Sequence, residues 1–185
     1  MKTEKQKMLT GELYNALDSQ LVKERRQARD LIKELNGSRD EEQERRAKII
    51  NLLFASVGRD VWIEPPFYCD YGSNIFLGDK VYFNFNCVIL DPAKVVIGDN
   101  VLFGPNVQIY TATHPLSYLE RQRGLELANP IEIGSDVWVG GSTIISPGVS
   151  IGSRSVIGSG SVIAKNIPPD VFAAGNPCRV IREID

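Results

Sequence analysis

From Ile133 to Pro168 the chain is written in sixes: IGSDVW, VGGSTI, ISPGVS, IGSRSV, IGSGSV, IAKNIP. Each block opens with Ile or Val, usually follows with Gly, and puts a small or β-branched residue fifth. A repeat held in register this long restricts the chain to architectures that stack one small unit on itself. Gly, Asn, Asp and Ser at the second to fourth places supply turns, including conformations with φ > 0. The fifth, sixth and next first places form a short strand, where alternate residues share a face. The fifth and first places point one way, the sixth the other, and successive units must coil.

The same phase runs back through the chain, with openers at Val57, Ile63 and Cys69, then Leu77, Phe83 and Ile89, then Ile97, Phe103 and Ile109. The spacing slips from six to eight between Cys69 and Leu77 and again between Ile89 and Ile97. Three blocks therefore make one coil, and the third corner of a three-sided prism takes the insertions. Residues 115–130 form a loop extruded at that corner. Openers such as I-G-D-N-V and I-G-S-R-S-V resemble those of the hexapeptide-repeat acyltransferases, and the resemblance implies a mainly β fold, a left-handed parallel β-helix. Handedness comes from the resemblance alone, since the usual crossover preference is right-handed. The expected organisation is an N-terminal α-helical segment over 1–56, the β-helix over 57–168 and a C-terminal tail over 169–185.

Lys and Arg number 21 and Asp and Glu 23, a net charge of −2, which gives no electrostatic case for nucleic acid or a membrane as partner. No apolar run approaches a spanning length, and the start lacks the charged-then-apolar pattern of a leader. Cys69, Cys87 and Cys178 are sparse and lack CxxC spacing, so they read as reduced thiols of a cytoplasmic protein.

Within 1–56, Asp18 can cap a helix carrying Leu21, Ala28, Leu31, Ile32 and Leu35, which Asn36-Gly37 stops. Ser38 with Glu41 reads as a capping box for the next helix, which carries Ile49, Ile50, Leu53 and Phe54. The opening M-L-T-G-E-L-Y is similar to the N-terminal segment of maltose and galactoside O-acetyltransferases, and the resemblance implies that this segment packs on the acceptor site. Where those relatives often carry an Asp, this chain reads Asn15-Ala16.

The outward sixth places stack Trp62, Tyr82, Leu102, Trp138 and Val156 on the second side, and Tyr68, Val88, Gln108, Ile144 and Val162 on the third. Two apolar columns exceed what a monomer's surface tolerates. The family resemblance implies a homotrimer with its sites between adjacent prisms.

His114, the single histidine, stands in Y-T-A-T-H-P at the last corner before the extruded loop, a place where rigid scaffolds carry function. The motif resembles the family's catalytic histidine. What the resemblance implies is direct acetyl transfer, with His114 as general base toward an acceptor hydroxyl that attacks acetyl-CoA. Glu126 is the candidate to orient its ring. Asn84, in F-N-F-N-C, resembles the family's asparagine that contacts the acceptor and steadies the transition state. Asp70, Tyr82 and Asp91 are the further acceptor candidates, carboxylates being suited to sugar hydroxyls. On the coenzyme side, Trp138, Gly141, Ser159, Ala164 and Lys165 match positions along the thioester, pantetheine and phosphates. Arg179 and Arg182, in A-A-G-N-P-C-R-V-I-R, match the family's phosphate-binding residues, a role that the guanidinium fork suits.

The implied reaction is acetyl-CoA-dependent O-acetylation of a sugar such as maltose or glucose, with no metal required. A galactoside, another alcohol or an amine stands as the alternative acceptor. A γ-class carbonic anhydrase shares the fold but needs three histidines on zinc, and this chain has one. A non-catalytic scaffold has no need of His114, the loop and the arginine tail together.

Overall fold

The computed structural model describes all 185 residues, and the six-residue period closes into a three-faced parallel β-helix. The openers pair coil on coil. Val57, Leu77, Ile97, Ile133 and Ile151 align on face 1. Ile63, Phe83, Phe103, Val139 and Ile157 align on face 2. Cys69, Ile89, Ile109, Ile145 and Ile163 align on face 3. Inside the prism, Phe83 stacks flat on Phe103 with centroids 4.4 Å apart, and Phe67 meets Phe83 edge-on at 5.6 Å. The coils are thus held both by ladder hydrogen bonds and by one continuous apolar column.

The β-helix outruns the boundary expected at 168. Val171–Ala174 adds a further parallel strand to face 2, with Ala173 opposite Ile157, and Arg179–Glu183 folds back antiparallel on it. The segment 169–185 is therefore a hairpin continuing one face. Its opener is Ala173 rather than an Ile-Gly pair, so the hexad signature is missing.

The corner chemistry also differs from the sequence reading in one respect. The left-handed residue of the corner between faces 1 and 2 is the fourth place, occupied by Asp60, Lys80, Asn100, Asp136 and Arg154 at φ 56 to 60. Glycine at the second place serves close stacking instead. A Cβ on Gly58 would lie 2.3 Å from the Gly78 carbonyl carbon and oxygen.

At the open end of the prism sit α2 (Ser19–Asn36) and α3 (Gln43–Leu53), while α1 (Glu4–Leu9) packs on α2 and on the strands Tyr14–Asn15 and Leu125–Ala128. Asp18 caps α2 as expected, accepting from the Gln20 and Leu21 amides. Asn36, its last residue, pairs with the Phe67 backbone in both directions, at 2.9 and 3.0 Å, and so ties the helix to the first coil. Ile49, Ile50 and Leu53 of α3, with Phe54 edge-on to Phe67 at 5.8 Å, close the apolar column. The expected Ser38–Glu41 capping box does not form, because α3 starts later. The Ser38 hydroxyl instead donates to the Leu35 carbonyl and accepts from buried Arg46. No helix is long and apolar enough to cross a membrane.

Candidate active site

The extruded loop opens with α4 (Tyr118–Arg121), a single turn, and returns as the strand Leu125–Ala128. That strand is sandwiched antiparallel between Ala112–Thr113, which leads directly into His114, and Tyr14–Asn15 of the N-terminal segment. No local pattern announces this pairing, since Tyr14 and Glu126 lie 112 residues apart. The Tyr14 hydroxyl donates to Glu126 Oε2 at 2.9 Å, and burial beside that carboxylate raises the phenol's pKa.

These elements close a cavity of about 320 Å³ at the corner between faces 3 and 1. His114, exposed at its wall, shares it with Asp70, Glu126, Arg25 and Arg29, while Ala16 and Leu17 of the N-terminal segment form the opposite rim. Of the expected residues, the structure thus brings together His114, Asp70 and Glu126. Glu126 is held by Tyr14 and makes no hydrogen bond to the imidazole. The two arginines were missed from sequence, although their spacing of four places them on one side of α2, above the apolar stripe of Leu21, Ala28 and Ile32. Arg25 donates to the Tyr71 hydroxyl and to the Ala16 carbonyl, each at 2.6 Å, which pins the N-terminal segment to the prism. Burial raises the Asp70 pKa, and Arg25 and Arg29 oppose the shift.

Asp91 requires a correction. It is fully buried and does not line the cavity; its neighbours Leu90 and Pro92 do. Its Oδ1 accepts from the Asp70 and Tyr71 amides, both at 2.9 Å, while its Oδ2 is buried with no partner. Burial pushes its pKa up to about 7. Asp91 therefore holds the turn that presents Asp70 and Tyr71, and cannot itself reach an acceptor in this conformation.

Asn84 and Tyr82 lie elsewhere. Tyr82 is outward on face 2, and Asn84 stands at the corner between faces 2 and 3, a full prism side from His114. Asn84 Oδ1 accepts from the Phe85 amide at 2.8 Å, which leaves its NH2 group as a donor. The same corner carries Gly141 and Ser159 on later coils, and the backbone N–H of each makes no hydrogen bond within the chain. Trp138, 54% exposed, lies beside them on face 2, which the Arg179–Glu183 strand extends. Arg179 and Arg182 are exposed and have no carboxylate partner; Arg182 leans on Phe172. Ala164 and Lys165, by contrast, are exposed on the other corner, the one that bears His114. The expected coenzyme residues are thus divided between two corners of one prism.

Residues 7–58 match the family model described as maltose acetyltransferase hexapeptide capping motif, and residues 130–165 match that of the bacterial transferase hexapeptide repeat. Galactoside O-acetyltransferase of Escherichia coli is 46% identical over 180 residues, 97% of this chain and 89% of that protein. The crystal structure of a maltose O-acetyltransferase from Clostridium difficile superposes with a TM-score of 0.98 at 48% identity, covering 100% of this chain and 98% of that one. The chain belongs to the maltose/galactoside O-acetyltransferase family. A galactoside acetyltransferase solved in complex with coenzyme A also matches, with a TM-score of 0.96, 44% identity and coverage of 100% of this chain and 92% of that one. As a member of this family the protein is an acetyl-CoA-dependent O-acetyltransferase. The free N–H groups of Gly141 and Ser159 beside exposed Trp138, and the exposed guanidinium groups of Arg179 and Arg182, bonded only to backbone carbonyls, are donors of the kind a long ligand with amide, thioester and phosphate groups uses.

Proposed function

We propose that this acetyltransferase acetylates a hydroxyl of a sugar such as maltose or glucose, with His114 as general base. The observation that supports it is the exposed imidazole at the wall of a small cavity that also holds Asp70 and Glu126. A sugar is densely hydroxylated, and carboxylates and arginines around one cavity can accept from and donate to its hydroxyls. His114 takes the proton of the acceptor hydroxyl as its oxygen attacks the thioester carbonyl. The Gly141 N–H stabilises the developing oxyanion. Collapse breaks the carbon–sulfur bond, and the proton leaves the imidazolium for the departing thiolate. Trp138 and Ser159 flank the thioester and pantetheine, Ala164 and Lys165 flank them from the other side, and Arg179 and Arg182 hold phosphates.

We further propose that each site is shared between subunits of a homotrimer in the cytoplasm. At about 3.3 Å per residue, a prism side spans roughly 16–20 Å, too far for one hydroxyl to touch both Asn84 and His114 of a single chain. A neighbouring prism that brings its face 2–3 corner against the His114 corner joins Asn84, Gly141 and Ser159 to His114, Ala164 and Lys165. The column on face 3, with Tyr68 exposed and Val88, Ile144 and Val162 part-exposed, is the surface such an assembly covers.

The reading is tested by thiol release from acetyl-CoA against maltose, glucose, galactosides, serine and simple alcohols and amines. Turnover of an amine alone would replace the sugar reading. The shared site is tested by co-assembling His114→Ala and Asn84→Ala chains. Mixed trimers contain clefts with both residues intact, so activity returns; confirmed mixed trimers that remain inactive refute the sharing.

A further inference from the structure

Beside the His114 cavity runs a second, larger hollow of about 700 Å³ between α2 and face 3. Ile32 of α2 forms one wall and Tyr68, Val88 and Leu90 of face 3 the other. It shares Arg29, Asp70 and Leu90 with the His114 cavity, so the two form one continuous depression. At the opposite edge of face 3, the residue next to Asn84 is Phe85, an aromatic side chain 53% exposed to solvent. We infer that Phe85 of one chain seats in this groove of a second copy and thereby sets Asn84 over the neighbour's His114.

Symmetry makes the two surfaces meet. Face 3 runs from the Asn84 corner to the His114 corner. When three prisms turn their third faces to a common axis parallel to their own, the Asn84 corner of each meets the His114 corner of the next. Rotation about such an axis leaves every residue at its own height along the prism. Phe85 lies between the second-coil strands Tyr82–Phe83 and Cys87–Leu90. The groove is walled by Tyr68 of the first coil and by Val88 and Leu90 of the second, so it stands at the height of Phe85. The chemistry agrees as well. An exposed aromatic ring has an apolar slot to fill, and the slot opens into the cavity where Asn84 is required. A large aromatic anchor inserted in a pocket is the usual way an interface fixes its register. Phe85 is a positioning residue in this scheme, acting through Asn84.

The inference rests on the shared cleft proposed above, and the experiment separates the two. Phe85→Ala is expected to lower kcat/KM for the acceptor roughly 10–100-fold through misplaced Asn84, to leave KM for acetyl-CoA unchanged, and to be largely rescued by Phe85→Leu. Activity should return when Phe85→Ala chains are co-assembled with His114→Ala chains, since some clefts then pair an intact histidine with an intact phenylalanine. Independently of activity, a Phe85→Cys/Lys33→Cys double variant treated with a short bismaleimide should link into covalent dimers and trimers, because Lys33 is an exposed lining residue of the groove and the native thiols are buried. Full activity of Phe85→Ala, or a trimer that does not cross-link, overturns the inference. If His114→Ala with Asn84→Ala recovers activity but His114→Ala with Phe85→Ala does not, the docking fails and the shared cleft stands. If neither pair recovers, the shared cleft is wrong and the docking falls with it.

Discussion

Replacing Asp91 by Asn isolates one buried carboxyl whose charge the fold opposes. In the native state Oδ1 accepts from the Asp70 and Tyr71 amides, Oδ2 has no partner, and burial raises the pKa from 3.8 to about 7. Between those two values the native state holds a proton that the unfolded chain has released. Asp91 therefore supports folding fully below the unfolded value, and that support is lost as pH rises through the folded value. From pH 5 to pH 8 this one-proton difference persists over about two pH units, at about 1.36 kcal/mol for each, which comes to ~3 kcal/mol. Asparagine keeps an oxygen for both amides and removes the titration. It leaves an unpaired NH2 in place of Oδ2, a cost of about 1–3 kcal/mol that does not vary with pH. Urea unfolding of the wild type and of Asp91→Asn at pH 5 and pH 8 measures the difference, in which every other titrating group cancels. The variant should gain ~3 kcal/mol on the wild type between the two conditions. The same stability difference at both pH values would refute the account of Asp91 as a desolvated, half-satisfied carboxylate.

Other outcomes follow from the geometry. His114→Ala should reduce turnover by roughly two to four orders of magnitude with acetyl-CoA binding retained, as single-turnover kinetics and calorimetry would report. Arg179→Ala and Arg182→Ala should each weaken acetyl-CoA by about 1.5–3 kcal/mol, with poorer discrimination against the dephospho-coenzyme; unchanged affinity for both coenzymes would return these residues to the bare surface. Gly58→Ala places a methyl group 2.3 Å from the Gly78 backbone, which cannot yield as a side chain could. It should cost about 1–3 kcal/mol, read as a lowered denaturation midpoint with the acceptor KM little changed.

Local repetition made the prism legible. Every opener from Val57 to Ile163 falls where the hexad count put it, because a period-six pattern of inward apolar and outward residues can satisfy its ladder only by pairing with its own copies. The third-corner slips located the extruded loop and placed His114 at its base for the same reason. Where the pattern lapses, legibility ends. Ala173 continues face 2 without an Ile-Gly pair, and Ser38 bonds Leu35 and Arg46 instead of capping α3.

The site was legible in residue identity and in its division between corners, but not in the wall that surrounds His114. His114, Asn84 and the arginine tail stand out by motif, and counting hexads already sets Asn84 at the turn between the second and third sides and His114 at the third corner, a prism side apart. The wall around His114 was not legible in this way. Asp91 and Pro92 adjoin in sequence, and the turn sends one into the core and the other to the cavity. Tyr14 and Glu126 meet across 112 residues through a three-stranded sheet that neither segment could form alone. The sequence by itself determined the coil, its register and the residue types available for chemistry, because those depend on neighbours six or about twenty residues away. The cavity, its arginines and the burial of the Asp91 carboxyl were decided only by tertiary structure, because each depends on which distant segments the closed prism brings to one corner.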